Sequence, residues 1–218
     1  MPKLPDSGFT YTASFYDALA TFVFGDALQQ AQLALLPFIQ RQARVLVIGG
    51  GSGWILEQLL HSDIQLEILY LDAAPAMMQL AEQKYKKQRQ TQSSTVRFRL
   101  GNEKSLLPEE QFEVILTPFL LDLFPPQRLQ SLMTTLSNTL TPNGQWLFAD
   151  FWPLQQPPAW WQRVLLKSMY TFFGLLSGVQ AKQLPAYKKH FDSLGFTEKY
   201  SQSFYSGMVQ AKVLKREV

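Results

Sequence analysis

Four glycines stand within five positions, Gly49, Gly50, Gly51 and Gly53, directly after the aliphatic run "RVLVI". β-branched and aliphatic residues giving way to residues without side chains describe a buried strand that ends in a sharp turn. Such a turn leaves its backbone open to a ligand. A second aliphatic run, "LEILYLD", ends in Asp72, three residues before Pro75. A carboxylate there either accepts a ligand's hydroxyls or caps the next helix. A phosphate loop would need Lys and then Ser or Thr after the last glycine, where Trp54 and Ile55 stand. A dinucleotide fingerprint counted from Gly49 would need glycine at Trp54. The spacing is Gly49-x-Gly51-x-Gly53 instead.

These residues need a scaffold, and the pattern of the chain supplies one. Strands are predicted over 44–49, 66–72, 96–102, 112–117 and 145–151. Helices are predicted over 52–60, 75–87 and about 126–140, with a turn at "TPNG" (141–144). Alternation of this kind means βαβ units on a parallel sheet covered on both faces. The fold class expected is α/β, a Rossmann-like doubly wound sheet of seven strands with an antiparallel C-terminal pair at about 196–204 and 207–215. One domain is expected over 1–218. It comprises N-terminal helices (1–43, with Gly25 ending the first and Asp26 capping the second), a cofactor-binding core (44–151), a helical insertion (152–184) and a final helix with closing strands (185–218). Within the insertion, 159–180 reads as a helix apolar nearly all round, and 183–194 as a further helix.

The chain resembles the class I S-adenosylmethionine-dependent methyltransferases, from about Arg44 to the C-terminus. "VLVIGGGSG" is similar to the first motif of that family and "LYLDAAPAMMQLA" to the second. "VRFRLGNEKSL", "FEVILTPFLLDLF" and "LTPNGQWLFADF" follow as the third, fourth and fifth. The resemblance implies S-adenosyl-L-methionine as cofactor. It would be held by Gly49, Gly50, Gly51, Ser52 and Gly53 at its methionine part and by Asp72 at the ribose hydroxyls. Ala73 and Met77 would flank the adenine, Asn102 or Glu103 would meet its amino group, and Thr117 to Leu120 would run beside the sulfonium. The family usually has an acid where Val47 stands. The glycine stretch also resembles that of the polyamine synthases that share the fold and transfer an aminopropyl group. A cofactor-binding scaffold without transfer activity is a further alternative.

The N-terminal "YTASFYDALA" resembles small-molecule methyltransferases of the quinone-biosynthesis type, which implies an apolar acceptor: aromatic, quinol-like or acyl. Tyr11 or Tyr16 would then reach over the cofactor, and Phe119, Trp160, Trp161 and Tyr170 are candidates for acceptor contact, plain packing being the alternative. Arg163 and Lys167 would either meet an anionic end of the acceptor or lie on a solvated rim. Methyl transfer needs alignment and a dry site more than a triad. If a base is used, the candidates are Asp122, Asp150, His190 and Tyr16; His61 closes the first helix on the far side. No metal is expected.

Of 218 residues, 46% are hydrophobic and 13% aromatic, with a net charge of +3. That composition supports a full core and excludes a disordered chain. No basic stripe interleaved with aromatics points to nucleic acid. With no cysteine, disulfides are excluded, and a cytoplasmic location is the expectation. No signal peptide and no membrane span are expected, though the apolar insertion leaves room for peripheral membrane contact.

Overall fold

A computed structural model of the chain describes residues 23–62, 64–88, 93–154, 157–177 and 183–216, the side chains of 172–177 excepted. Tyr11, Tyr16 and all but the end of the first predicted helix lie outside the described residues; Val23 and Phe24 are helical, and Gly25 follows at φ +55°. Helix α1 (Ala27–Leu33) precedes strand β1 (Arg44–Ile48), helix α2 (Trp54–His61), strand β2 (Glu67–Asp72) and helix α3 (Pro75–Gln88). Strands β3 (Thr95–Leu100) and β4 (Phe112–Pro118), helix α4 (Pro126–Asn138) and strand β5 (Leu140–Phe151) complete the alternation. Helices α5 (Trp160–Ser177) and α6 (Tyr187–Ser193) lead to strands β6 (Phe196–Phe204) and β7 (Val209–Arg216). The sheet order is β3-β2-β1-β4-β5-β7-β6. Strands β1 to β5 are parallel, β7 is antiparallel to β5, and β6 is antiparallel to β7.

Successive side chains of a strand face opposite sides of the sheet, so a buried strand serves two cores. Val45 and Val47 enter one core with α1, α2, α3 and α5, while Leu46 and Ile48 enter the other with α4 and α6. Strand β5 divides likewise: Leu147, Ala149 and Phe151 on one side, Trp146 and Phe148 on the other. Full burial of each such side chain is worth roughly 1.5–3 kcal/mol. The strand order reverses between β1 and β4. That reversal opens a crevice at the carboxyl ends of the strands, where α/β sheets take ligands.

Three boundaries and one cap differ from the sequence reading for a local reason. Helix α2 starts at Trp54, because Gly53 has φ +86° and cannot be a helical residue. Helix α6 begins at Tyr187 instead of 183, because Pro185 biases Leu184 away from helical backbone. The predicted turn at 141–144 is absorbed into β5: the register passes from Phe112 opposite Leu140 to Val114 opposite Gln145, so the extra residues bulge out of the ladder. Asp26 sits at the N-cap of α1, yet its side chain makes no cap hydrogen bond; its backbone carbonyl accepts from Gln30.

The insertion helix α5 is also less uniformly buried than its composition suggests. Gln162, Leu166 and Tyr170 are buried, whereas Trp160 is 71% and Val164 58% exposed. Burial every fourth residue marks one face. Gln162 anchors it: its Oε1 accepts the Ala159 N–H at 3.1 Å, and its Nε2 donates to the Ser206 carbonyl at 3.2 Å. Among the described residues no helix is long and apolar enough to cross a membrane.

Candidate active site

The loop after β1 and the acid that ends β2 form one hydrogen-bonded unit. The Gly49 N–H donates to the Leu71 carbonyl at 2.9 Å. The Tyr70 hydroxyl donates to the Gly51 carbonyl at 2.9 Å, and the Gly51 N–H to Asp72 Oδ2 at 3.1 Å. Asp72 Oδ1 accepts the Ala74 N–H at 2.8 Å, so the acid also shapes the turn into α3. The two roles that the sequence left open for Asp72, ligand acceptor and cap, are compatible. Each carboxylate oxygen has a second lone pair for a ligand hydroxyl.

The glycines are there for different reasons. A Cβ at Gly50 would lie 2.5 Å from the Tyr70 hydroxyl, and one at Gly49 would lie 2.6 Å from Leu120 Cδ1. A Cβ at Gly53 would lie 2.7 Å from the Ala81 Cα, so that glycine lets α2 and α3 approach. Within this loop only Gly51, at φ +62°, has open space, with none of the described residues within 4 Å of an added Cβ. The missing side chains at positions 49, 50 and 53 therefore make room for the protein itself, and the one at 51 leaves room for a ligand. Ser52 is buried beside it. Val47, where an acid was expected by resemblance, is fully buried in the core.

Asp72 is 8% exposed, and burial pushes its carboxyl up to about 6 against the pull of the backbone N–H groups of Ala74, Gly51 and Ala73. Beyond it, Ala73 is half-buried, Met77 packs with Ala74 and Leu80, and Leu100 at the end of β3 is 49% exposed. Asn102 caps the 3-10 turn Glu103–Ser105, its Oδ1 accepting the Lys104 N–H at 3.1 Å. Glu103 is held differently from the sequence expectation. It is 1% exposed, and its Oε2 accepts from Arg128 Nη2 on α4 at 2.6 Å.

At the end of β4 the alternation turns Thr117 toward the core that holds Trp146. Its Oγ1 accepts the Trp146 indole N–H at 3.0 Å inside the second core. Glu113, lower on the strand, pairs with Arg44 at 2.8 Å at the opposite edge of the sheet. Phe119 has φ +51°, which costs a bulky residue about 1–3 kcal/mol and concentrates at functional sites. Its ring starts a chain of aromatic contacts: Phe119 to Phe151 (5.6 Å), Phe151 to Phe24 (5.0 Å), Phe24 to Tyr205 (5.1 Å) and Tyr205 to Trp161 (6.1 Å). Phe24, Phe151 and Tyr205 were missed by the sequence reading. Phe151 was accessible to it as the apolar end of "ADF" at the ligand edge. Trp160 stands apart on the solvent face of α5, as do Arg163 and Lys167.

Asp122 and Asp150 meet at the same edge, both buried. Asp150 Oδ2 accepts the N–H groups of Leu121 at 3.0 Å and Asp122 at 3.3 Å, and its Oδ1 accepts that of Phe151 at 2.8 Å. Burial raises both carboxyls, and Asp122 raises Asp150 further by repulsion. Tyr170 is buried near them. His190 is not: its Nδ1 meets Gln130 Oε1 at 2.6 Å, bridging α6 and α4, and burial lowers its titration. His61 ends α2, exposed. Among the described residues no cluster of three metal-ligating side chains occurs.

Comparison with known proteins assigns the class. A family model described as a methyltransferase domain matches residues 46–146, the stretch that contains the glycine loop, Asp72 and β4. The matched stretch, a little under half of the chain, reads as a methyltransferase domain, and a domain of this class takes S-adenosylmethionine as its cofactor. The crevice fits that group: open space lies over Gly51, with the Asp72 carboxylate beside it. Among curated proteins nothing matches. The chain is similar in fold to the magnesium protoporphyrin IX methyltransferase ChlM of Synechocystis PCC 6803 with bound SAH (TM-score 0.72, 15% identity, 97% of this chain and 98% of that one). It is similar to DhpI in a complex with SAM and HEP (TM-score 0.66, 20% identity, 94% and 93%) and to YcgJ of Bacillus subtilis (TM-score 0.62, 15% identity, 87% and 100%). As 1136 solved chains match, the likeness identifies the fold and does not select an acceptor.

Proposed function

We propose that the protein transfers a methyl group to a small, largely apolar acceptor, aromatic, quinol-like or acyl, bound beside the aromatic chain that runs from Phe119 to Trp161. The observation that carries this reading is that chain of rings. Phe24, Phe119, Phe151, Trp161 and Tyr205 come from five separate segments to one place, next to the strained end of β4. A flat apolar molecule gains about 0.5–1.5 kcal/mol per aromatic contact beyond the area it buries.

In this reading Gly51 and Ser52 hold the methionine part of the cofactor and Asp72 its ribose hydroxyls. Ala73 and Met77 border the adenine, with Asn102 at its edge. When bound, the cofactor supplies a methyl group on a sulfonium. The protein's task is then to align the acceptor with it and to exclude water. A cytoplasmic site of action accords with the absence of cysteine.

Incubation with labelled S-adenosylmethionine and a panel of phenols, quinols and fatty acids tests the reading, with product masses measured. A product heavier by one methyl group is expected from an apolar acceptor. Tight cofactor binding with no transfer to any acceptor would instead make the chain a cofactor-binding scaffold. Transfer of an aminopropyl group from decarboxylated S-adenosylmethionine to an added polyamine, run in parallel, would place it with the polyamine synthases.

A further inference from the structure

The buried acids at the ends of β4 and β5 serve no purpose described so far. Asp122 lies in the 3-10 turn Leu121–Leu123, with its carboxyl against that of Asp150. Among the described residues, Asp122 Oδ1, the Tyr170 hydroxyl and the Tyr187 hydroxyl have no hydrogen-bond partner, although all three residues are more than nine-tenths buried. Tyr187 lies beside Asp150 without reaching a hydrogen bond of good geometry, and burial, with the carboxylates' charge second to it, raises the titration of both phenols. Among the described residues neither acid makes an ion pair. Two carboxylates this close and this dry cannot both ionise, so the pair holds one proton and one negative charge.

The position of the cluster matters as much as its chemistry. Tyr170, on α5, belongs to the core on one face of the sheet, and Tyr187, on α6, to the core on the other. The cluster therefore straddles the carboxyl edge of the sheet. It lies two residues past Leu120, whose side chain fills the space at Gly49. Three unmatched polar atoms in a dry site are costly, about 1–3 kcal/mol each, unless something else satisfies them. The missing partner must donate to a carboxylate oxygen and accept from two phenolic O–H groups. A cation cannot accept, and a carboxylate would be repelled. A neutral hydroxyl does both, whether it belongs to a water molecule or to an acceptor that displaces it.

We propose that Asp122, Tyr170 and Tyr187 form the acceptor's hydroxyl subsite, with Asp122 as the proton acceptor and Asp150 as the positioning residue behind it. The acceptor is then a phenol or enol. Its O–H bond breaks and the proton passes to Asp122 Oδ1. The two tyrosine hydroxyls hold the developing oxyanion in a preorganised cradle. The oxygen forms its bond to the methyl carbon as the carbon–sulfur bond breaks, and the sulfur leaves as a neutral thioether with that electron pair. The proposal rests on the methyl-transfer reading above.

The test uses the full chain with S-adenosylhomocysteine and two probes: 4-nitrophenol and its methyl ether 4-nitroanisole, which lacks the O–H. The phenol should bind at least about tenfold more tightly than the ether, as expected for a hydrogen bond to a charged group. It should bind as the coloured phenolate. In Asp122→Asn that preference and the colour should disappear, with S-adenosylhomocysteine affinity retained. Tyr170→Phe removes only an unpaired hydroxyl, so it should fold as the parent chain does and weaken phenol binding while leaving the ether unchanged. Equal binding of the two probes, no binding of the phenol, or parent-like behaviour of either variant overturns the proposal. Failure of the parent chain to bind S-adenosylhomocysteine is a separate result, which overturns the methyl-transfer reading itself.

Discussion

The Gly51 backbone N–H donates to the Asp72 carboxylate at 3.1 Å, tying the loop after β1 to the end of β2 across the mouth of the crevice. The loop that faces the cofactor and the acid that would hold its ribose are therefore built as one piece. Asp72→Ala removes both the ribose acceptor and the anchor of the loop. Affinity for S-adenosylhomocysteine should fall roughly tenfold to a hundredfold, the worth of about 1.5–3 kcal/mol for a charge-assisted hydrogen bond. Calorimetry on the folded variant measures it. Unchanged affinity would leave Asp72 as the cap of α3 alone.

The raised carboxyl of Asp72 gives that binding a pH dependence. Only the ionised form offers free lone pairs on both oxygens, so affinity should be level above about pH 7 and decline as the pH falls through about 6. Stability runs the opposite way. A carboxyl raised by burial favours the fold fully below its unfolded value, and that contribution is lost as the pH rises through about 6. Calorimetric titrations across this range, with denaturant melts of the cofactor-free chain, should show the two trends crossing. Parallel trends would assign the ionisation to another group.

Gly51 and Gly53 should part company on substitution. Gly53→Ala forces a Cβ to 2.7 Å from the Ala81 backbone at φ +86°, so α2 and α3 must separate and stability should drop by about 2 kcal/mol or more. Gly51→Ala meets nothing within 4 Å and carries only the cost of its positive φ, about 1–2 kcal/mol. It should stay folded and lose cofactor affinity, because the added methyl occupies the open space over the loop. Chemical denaturation and calorimetry on both variants distinguish the two roles.

Arg128→Met tests whether Glu103 is chiefly structural. The change leaves a carboxylate that is 1% exposed without its 2.6 Å partner, and breaking a buried pair in this way costs about 3–5 kcal/mol. A drop of that size in the unfolding free energy is expected, with the pairing of the double variant Glu103→Gln, Arg128→Met recovering part of it. A stable single variant would mean that the Glu103 charge is balanced from elsewhere.

The sequence by itself determined the alternation of elements, the positions of the glycine loop and Asp72, and the seven-stranded sheet. These are local features: a two-residue period, a glycine cluster and a proline at a helix start each leave their mark within a few residues. What only the tertiary structure decided is which side chain faces the crevice and which the core. The pleat turns Thr117 toward the Trp146 indole, and α4 brings Arg128 to Glu103. Three of the four loop glycines are small for the sake of Leu120, Tyr70 and Ala81, residues 20 to 71 positions away. Asp122 and Asp150 are separated by 28 residues and by a helix, so no spacing rule could pair them. Parallel strands join neighbours through crossovers, and it is the crossover that brings distant strand ends, and the two acids on them, to the same edge.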